Sequence, residues 1–346
     1  MKTSTPICHE RIDHPAAWTN QRLGGKAGIT YHLNQRHLTA FEELLALTRH
    51  LGPQEVTRPD FDHAVVNPLF AELRNEIMDG RGAIVIAGIE PGRFSEEDFE
   101  RIYWGIGTHL GVAAVQSVSG DRLGHVRNEK VNPKNRAYLS TRELTFHSDA
   151  YELIGLMCVQ KAESGGYTRI ASALAIHNEI LLKRSDLLEP LYRGFPYATA
   201  EATGSNAPIT PYNVPVFSYV AGKVSCMKMR AYMRAAAEKM GVPLPPDLEE
   251  ALTYLDAIGE RDDVRLQFML EPGEILICNN FTTLHSRTAF EDSETRQRHL
   301  LRLWLRVPNG RPVVPELLER GAAYDRLYEE VRASVARGAA IGAAAP

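Results

Sequence analysis

Residues 298–307, RHLLRLWLRV, alternate so strictly that they specify an extended strand and little else. The odd positions are His299, Leu301, Leu303, Leu305 and Val307. The even positions are Arg298, Leu300, Arg302, Trp304 and Arg306. Successive side chains of a strand point to opposite faces, so one face is almost wholly apolar and the other carries three arginines. This is the pattern of a half-buried strand with a cationic face. Two surroundings suit that face. One is solvent at a sheet edge. The other is the mouth of a barrel, where Arg298 and Arg302 stand side by side as an anion clamp.

Other segments extend the strand reading. GAIVIAGI (82–89) is a short β-branched run between glycines, ELIGLMCVQ (152–160) is a second, and EILICNN (274–280) follows the Pro272-Gly273 turn. Helical signals surround them. Thr39 to His50 reads as a helix with Thr39 as N-cap, Glu42 three residues on, and Gly52-Pro53 after its end. SEEDFERIYWGIGTHLG (95–111) has an acidic first turn that suits the helix dipole. MRAYMRAAAEKM and DLEEALTYLDAIGE are two more, the latter opened by Pro245-Pro246 with Asp247 and Glu250 as a capping-box variant. A loop rich in Gly, Pro, Ser, Thr and Tyr spans 194–222, and ARGAAIGAAAP reads as a frayed, low-complexity tail, disordered over 338–346. The expected class is mixed α/β (α+β). A strand-built core carries flanking helices on its N-terminal side and a long, mostly helical insertion at about 175–270. No repeat or linker divides the chain, so 1–346 reads as one domain.

Composition narrows the function. Lys and Arg number 39 against 43 Asp and Glu, a net charge of -4, which lacks the basic footprint of a nucleic-acid binder. No apolar run approaches the roughly 20 residues of a membrane helix. The N-terminus has no apolar h-region. Cys8, Cys158, Cys226 and Cys278 are scattered without a CxxC pair, two of them inside apolar runs, which fits a reducing, cytoplasmic setting. The expected partner is a small molecule, not nucleic acid or a membrane.

The chemistry centres on TRELTFHSDAYEL (141–153), where His147 and Asp149 sit one residue apart just before an apolar run. They are either two metal ligands or two polar residues at a strand edge. NNFTTLHSRTAFED offers His285 as a third ligand, directly after the 274–280 strand. Taken alone, His285 reads more readily as a core or turn histidine than as a ligand. Two imidazoles and one carboxylate can occupy one face of an octahedral iron and leave the other open for a chelating substrate and dioxygen. The lack of nearby cysteines argues against a structural zinc site. His177, in AIHNEILL, reads as a helix residue without a metal role, and CHERIDH (8–14) lacks sensible ligand spacing.

These residues carry a family resemblance. From about 80 to 312 the chain resembles the taurine dioxygenase (TauD/TfdA) family of Fe(II)- and 2-oxoglutarate-dependent oxygenases. FHSD matches the family's HxD, SGGYTRIAS its Gly-Gly-x-Thr segment, LHSRTAFED the segment of its distal histidine, and RHLLRLWL the segment with two arginines four apart. The resemblance implies a double-stranded β-helix (jelly-roll) core. It implies His147, Asp149 and His285 as iron ligands. Thr168 and Arg298 then hold the distal carboxylate of 2-oxoglutarate, and Arg302 faces its other carboxylate or an anionic group of the substrate. A guanidinium fork is the natural partner for a carboxylate. Fe(II), 2-oxoglutarate and O2 are the implied cofactor and cosubstrates. Hydroxylation is the implied outcome, since Asp149 keeps the position that halogenases empty for chloride; desaturation and epoxidation need the same ligands. A zinc hydrolase or isomerase on a similar barrel, or a binding module with a decayed site, are the competing classes. Thr168 and Arg298 speak against the hydrolase, and the complete ligand set against the binding module.

The substrate is not written in the motifs. Gln116, Asn128, Tyr138, Phe195, Tyr197, Tyr212, Tyr219 and Arg230 are candidate contacts by position, each with a plain alternative as a packing or solvated residue. The aromatic loop at 192–219 reads as a lid, a structural loop or an oligomer contact. A small polar or amino-acid-derived molecule is the expected substrate.

Overall fold

The computed structural model describes residues 6–116, 120–128, 140–198, 209–318 and, within 321–333, all but 324, 327 and 331. Among them are fifteen strands. They are β1 (Thr30–His32), β2 (Ala83–Ala87), β3 (Val112–Ala113), β4 (Leu123–Arg127), β5 (Leu144–His147), β6 (Leu153–Gln160), β7 (Ser164–Gly165) and β8 (Thr168–Ser172), followed by β9 (Phe217–Val220), β10 (Lys223–Cys226), β11 (Leu266–Phe268), β12 (Ile275–Asn279), β13 (Thr283–Arg287), β14 (Phe290–Glu291) and β15 (His299–Arg306). The larger sheet runs β1-β2-β12-β6-β15-β3, with β4 also paired to β15. The smaller runs β11-β8-β13-β5. Only β1 and β2 pair in parallel among the described strands. The mixed α/β class expected from the sequence is what the chain adopts, with predominantly antiparallel sheets.

Period-two alternation assigns the layers. On β2, Ile84 and Ile86 join a core packed against the N-terminal helices, while Ala83 and Val85 join the core between the sheets. On β12, Ile275 and Ile277 face the helices and Leu276 and Cys278 face inward. These strands are covered on both sides, so their sequences read as continuous apolar runs. The same holds for β15, and here the half-buried expectation is corrected. Leu301, Leu303 and Leu305 pack against the helices, and Leu300 and Trp304 pack between the sheets. The arginine face is therefore not a sheet edge, because β15 lies between β6 on one side and β3 and β4 on the other; Arg298 and Arg302 are buried and only Arg306, at its end, is exposed.

Helices Gln35–Thr48, Asn67–Met78 and Glu96–Leu110 cover the outer face of the larger sheet. The first starts earlier than expected. Asn34 is its N-cap, in a capping box with His37, rather than Thr39. Ser95 caps the third through a capping box with Asp98. Sheet and helix meet closely at Gly155 on β6, where a Cβ would lie 2.4 Å from the Tyr103 Oη. That hydroxyl also accepts from the Leu303 amide at 3.2 Å. Gly155→Ala is expected to cost about 1–3 kcal/mol of stability through overpacking, read as a lower urea midpoint.

The insertion covers the smaller sheet. Helices Ala173–Lys183, Leu188–Arg193, Arg230–Met240 and Pro246–Gly259 share one core with Phe146, Ala171, Phe281 and Leu284 of the sheet region. Two expectations change here. The last helix is capped at Pro245 with no side-chain cap, because Asp247 bonds the Leu248 amide and Arg193 while Glu250 pairs with Arg184. The end of the long loop also forms a strand, β9, which makes a hairpin with β10 just beyond it. His177 is a buried helix residue on Tyr192 Oη at 2.9 Å, as read from sequence. All four cysteines are buried and free. No helix among the described residues is long and apolar enough to cross a membrane. The tail at 338–346 and Tyr138 lie outside the described residues.

Candidate active site

Antiparallel register brings the two histidines together. On neighbouring strands β5 and β13, His147 and His285 are directly opposite, with ring centroids 4.3 Å apart. Asp149 follows β5 by two residues. His147 Nε2 lies 4.0 Å from Asp149 Oδ1, and His285 Nε2 lies 3.6 Å from Asp149 Oδ2. Donor atoms from the three residues all fall within 4.8 Å of one another. One divalent ion fits among them with only small side-chain adjustment.

Their surroundings fix each group. His147 Nδ1 is 2.8 Å from the Thr145 carbonyl. A carbonyl only accepts, so Nδ1 carries the proton and Nε2 keeps its lone pair for a metal. Asp149 is 5% exposed. Burial pushes its carboxyl up, but the hydrogen bond and charge of His285, with Arg302 and His147, prevail and hold it well below the usual carboxylate range. Asn280 Oδ1 accepts from the Asp149 amide at 3.2 Å. Trp304 Nε1 donates to Asp149 Oδ2 at 2.7 Å. Trp304→Phe keeps the ring and removes that donor. Loss of such an outer partner is expected to weaken Fe(II) binding by roughly 10–100-fold, read by anaerobic metal titration.

The site opens into a cavity of about 310 Å³ between the sheets, at the small end of ligand pockets. Val126, Ile154, Leu156, Leu300, Arg302 and Trp304 form its wall on the larger sheet, and Thr168, His285 and Arg287 line the smaller-sheet side. Arg298 lines it too, only 5% exposed. Its Nη1 is buried with no hydrogen-bond partner. Burial pushes its pKa down to about 10, so it is still cationic at neutral pH. Gly166, with φ +72°, lets the arginine stem lie against the backbone; a Cβ there would sit 3.2 Å from Arg298 Cδ. The arrangement suits an incoming carboxylate, because a buried unpaired guanidinium nitrogen is costly until an anion meets it. The donor set and the arginine therefore fit an iron and a dicarboxylate.

Arg302 takes a different environment. Its Nε donates to Gln116 Oε1 at 2.7 Å, and its guanidinium stacks over Trp304 at 4.3 Å. Gln116 in turn donates to the Arg302 and Arg122 carbonyls. Gln116 thus positions Arg302 and is not on the cavity wall, which corrects its reading as a substrate contact. Three other candidates are absorbed by packing. Phe195 is buried beside Val214, Tyr197 Oη donates to the Met227 carbonyl, and Tyr212 packs against the insertion core. Asn128, after β4, and Tyr219, on β9, are half-buried and away from the wall. Arg230 does line the cavity, held by Asp256 and Glu249. Lys228, buried just before it, donates to the Phe146 carbonyl at 2.7 Å and pairs with Asp256, tying the insertion to the strand that carries His147.

Arg287 was not read from the sequence. It lies two residues after His285 on β13, so period two alone places it on the same face as the metal ligand. Its register partner on β8 is Thr168. Arg287 and Arg298 flank the Phe290 ring, at 4.7 and 5.2 Å. Burial, then the charge of Arg298, lowers the Arg287 pKa to about 9.

Comparison with known proteins shows the family. Residues 43–304 match the family described as taurine catabolism dioxygenase TauD, TfdA family. The chain is 30% identical over 321 residues to FR-33289 synthase of Streptomyces rubellomurinus, covering 88% of this chain and 93% of that protein. It is 29% identical over 320 residues to the taurine hydroxylase-like protein SAT17 of Stachybotrys chartarum, covering 85% and 79%. Among solved structures, an asparagine oxygenase bound to Fe(II), 3-hydroxyasparagine and succinate superposes with a TM-score of 0.65 at 18% identity, over 80% of this chain and 93% of that one. The non-heme iron oxygenase OrfP bound to Fe and alpha-ketoglutaric acid gives 0.60 at 16%, over 81% and 94%.

Proposed function

Since this chain belongs to the TauD/TfdA family and is an Fe(II)- and 2-oxoglutarate-dependent dioxygenase, we propose that it hydroxylates an unactivated C–H bond of a small, amino-acid-derived molecule held between the two sheets. The observation that carries this reading is the pairing of the His147, Asp149 and His285 cluster with the partnerless buried Nη1 of Arg298 in the lining of one cavity. The facing sheets, with β5, β8, β11 and β13 opposite the larger sheet, support the double-stranded β-helix assignment. One domain over 1–346, with the insertion closing its mouth, is the matching organisation.

In this reading His147, Asp149 and His285 hold the iron, and Arg298 with Thr168 holds the distal carboxylate of 2-oxoglutarate. When bound, iron and 2-oxoglutarate supply the oxidising power: dioxygen is consumed, 2-oxoglutarate becomes succinate and carbon dioxide, and the target C–H becomes C–OH. The remaining work falls to the chain. Trp304 and Asn280 hold Asp149 in place. Gln116 aims Arg302 toward the metal, where it meets the second carboxylate or a substrate anion. Val126, Ile154, Leu156 and Leu300 keep the inner wall dry. Met229, Arg230 and Ala231 present the insertion to the substrate. The amino-acid class is supported by the small cavity and by the relatives: the asparagine oxygenase is bound to hydroxyasparagine, and OrfP has been captured with L-homoarginine.

The test is an aerobic screen of amino-acid-derived compounds with Fe(II) and 2-oxoglutarate, scored by succinate and product mass. A compound that raises succinate formation and gains one oxygen supports the proposal. A product that loses two hydrogens instead replaces hydroxylation with desaturation. Substrate conversion without succinate overturns the reading in favour of hydrolysis or isomerisation.

A further inference from the structure

A second group of metal-type donors lies on the opposite face of β15 from Arg298 and Arg302. His299 is opposite Arg127 and Leu301 is opposite His125, so the two histidines share the outward, odd-numbered face. His125 Nδ1 is 2.9 Å from His299 Nε2, and the rings lie 5.1 Å apart at 28°. Above them the Glu96–Leu110 helix presents Glu96 and Glu100, one turn apart on one side of the helix. Glu96 Oε1 is 3.3 Å from His299 Nδ1, and Glu100 Oε1 is 3.8 Å from His125 Nε2. A donor atom from each of Glu96, His125 and His299 lies within 4.8 Å of the others.

The chemistry of the group favours a cation over an ordinary packing contact. Two ring nitrogens at hydrogen-bond distance allow one shared proton at most, so at least one lone pair is present. A cation placed between these groups would be met by imidazole lone pairs and by the Glu96 carboxylate together. The donor set is two imidazoles and a carboxylate, with Glu100 beside them. That is the ligand chemistry of a first-row transition-metal ion such as zinc or iron(II), not of calcium or magnesium, which need more oxygens. Glu96 is exposed and His125 half-buried, so an ion has a path from solvent.

We propose that Glu96, His125 and His299 form a second divalent-cation site, suited to first-row transition-metal ions, that pins the Glu96–Leu110 helix to β4 and β15. It goes beyond the oxygenase reading and shares no ligand with it. Because His299 is the backbone neighbour of Arg298, an ion there grips the strand that carries the proposed cosubstrate anchor from its far side.

The test uses the full chain, stripped of metal, with the His147→Ala/His285→Ala double variant as the background, so that it reads the second site alone and is blind to turnover. Zn2+ is titrated by calorimetry, and Co2+ is followed by its visible absorption. One ion per chain is expected, with affinity falling by more than the roughly tenfold that a lost outer partner costs on adding His125→Ala. Glu96→Gln, an exposed helix position that spares the fold, is expected to weaken binding in the same direction. No ion bound by the double variant, or binding that neither substitution changes, overturns the proposal. Failure of the oxygenase reading would appear separately, in the succinate assay on the wild-type chain.

Discussion

Replacing His147 or His285 with alanine is expected to abolish iron-dependent turnover, with succinate formation falling to the level of protein-free controls. The two rings face each other across one β5–β13 register pair, and each supplies one of three donors. Removing one leaves a two-donor site, which cannot hold the ion at an active occupancy. Little stability should be lost: His147 is partly open to the cavity, and the Nδ1 of His285 has no hydrogen-bond partner. Anaerobic Fe(II) titration alongside thermal melting separates the two effects. Full activity in either variant would sink the assignment of the metal centre.

Arg298→Ala is expected to raise the KM for 2-oxoglutarate by about 10- to 150-fold, the equivalent of the roughly 1.5–3 kcal/mol of a charge-assisted hydrogen bond. The kcat at saturating cosubstrate should change far less, because in the proposed role the residue anchors and does not react. Arg298→Lys should recover only part of the loss. A lysine brings a point charge, whereas the guanidinium offers a planar fork. An unchanged KM in the alanine variant would move the anchor to Arg287, whose guanidinium flanks the same Phe290 ring.

Much of this site was legible before any coordinates. The HSD tripeptide, the histidine after the 274–280 strand, and two arginines four apart on an alternating strand are local patterns, and local patterns survive in sequence. What stayed hidden depends on neighbours. Nothing near Gln116 signals that its amide clasps Arg302, because that contact is set by β15 lying beside the segment that precedes β4. The aromatic candidates in the long loop failed for a related reason. Phe195 and Tyr197 turn into the insertion's own core, and composition alone does not say which way an aromatic points. Arg287 was within reach of period-two reasoning once His285 had been chosen. The half-buried reading of β15 missed because its leucine face and its arginine face look equally complete in sequence; only the covering helices and the opposing sheet show that both are enclosed as far as Leu305.

The placement of β15 also has a consequence for how the chain reaches this state. The strand is the last of the described strands in chain order, yet it pairs with β6 on one side and with β3 and β4 on the other. During synthesis those earlier strands emerge long before their partner and wait with unpaired edges. Long-range pairing of this kind closes large loops and is slow. The expectation is a late folding step in which β15 enters the gap, completes the larger sheet and delivers Arg298, Arg302 and Trp304 together. A chain ending before His299 would therefore lose both the sheet's continuity and the cavity wall, and would expose the edges through which strands aggregate.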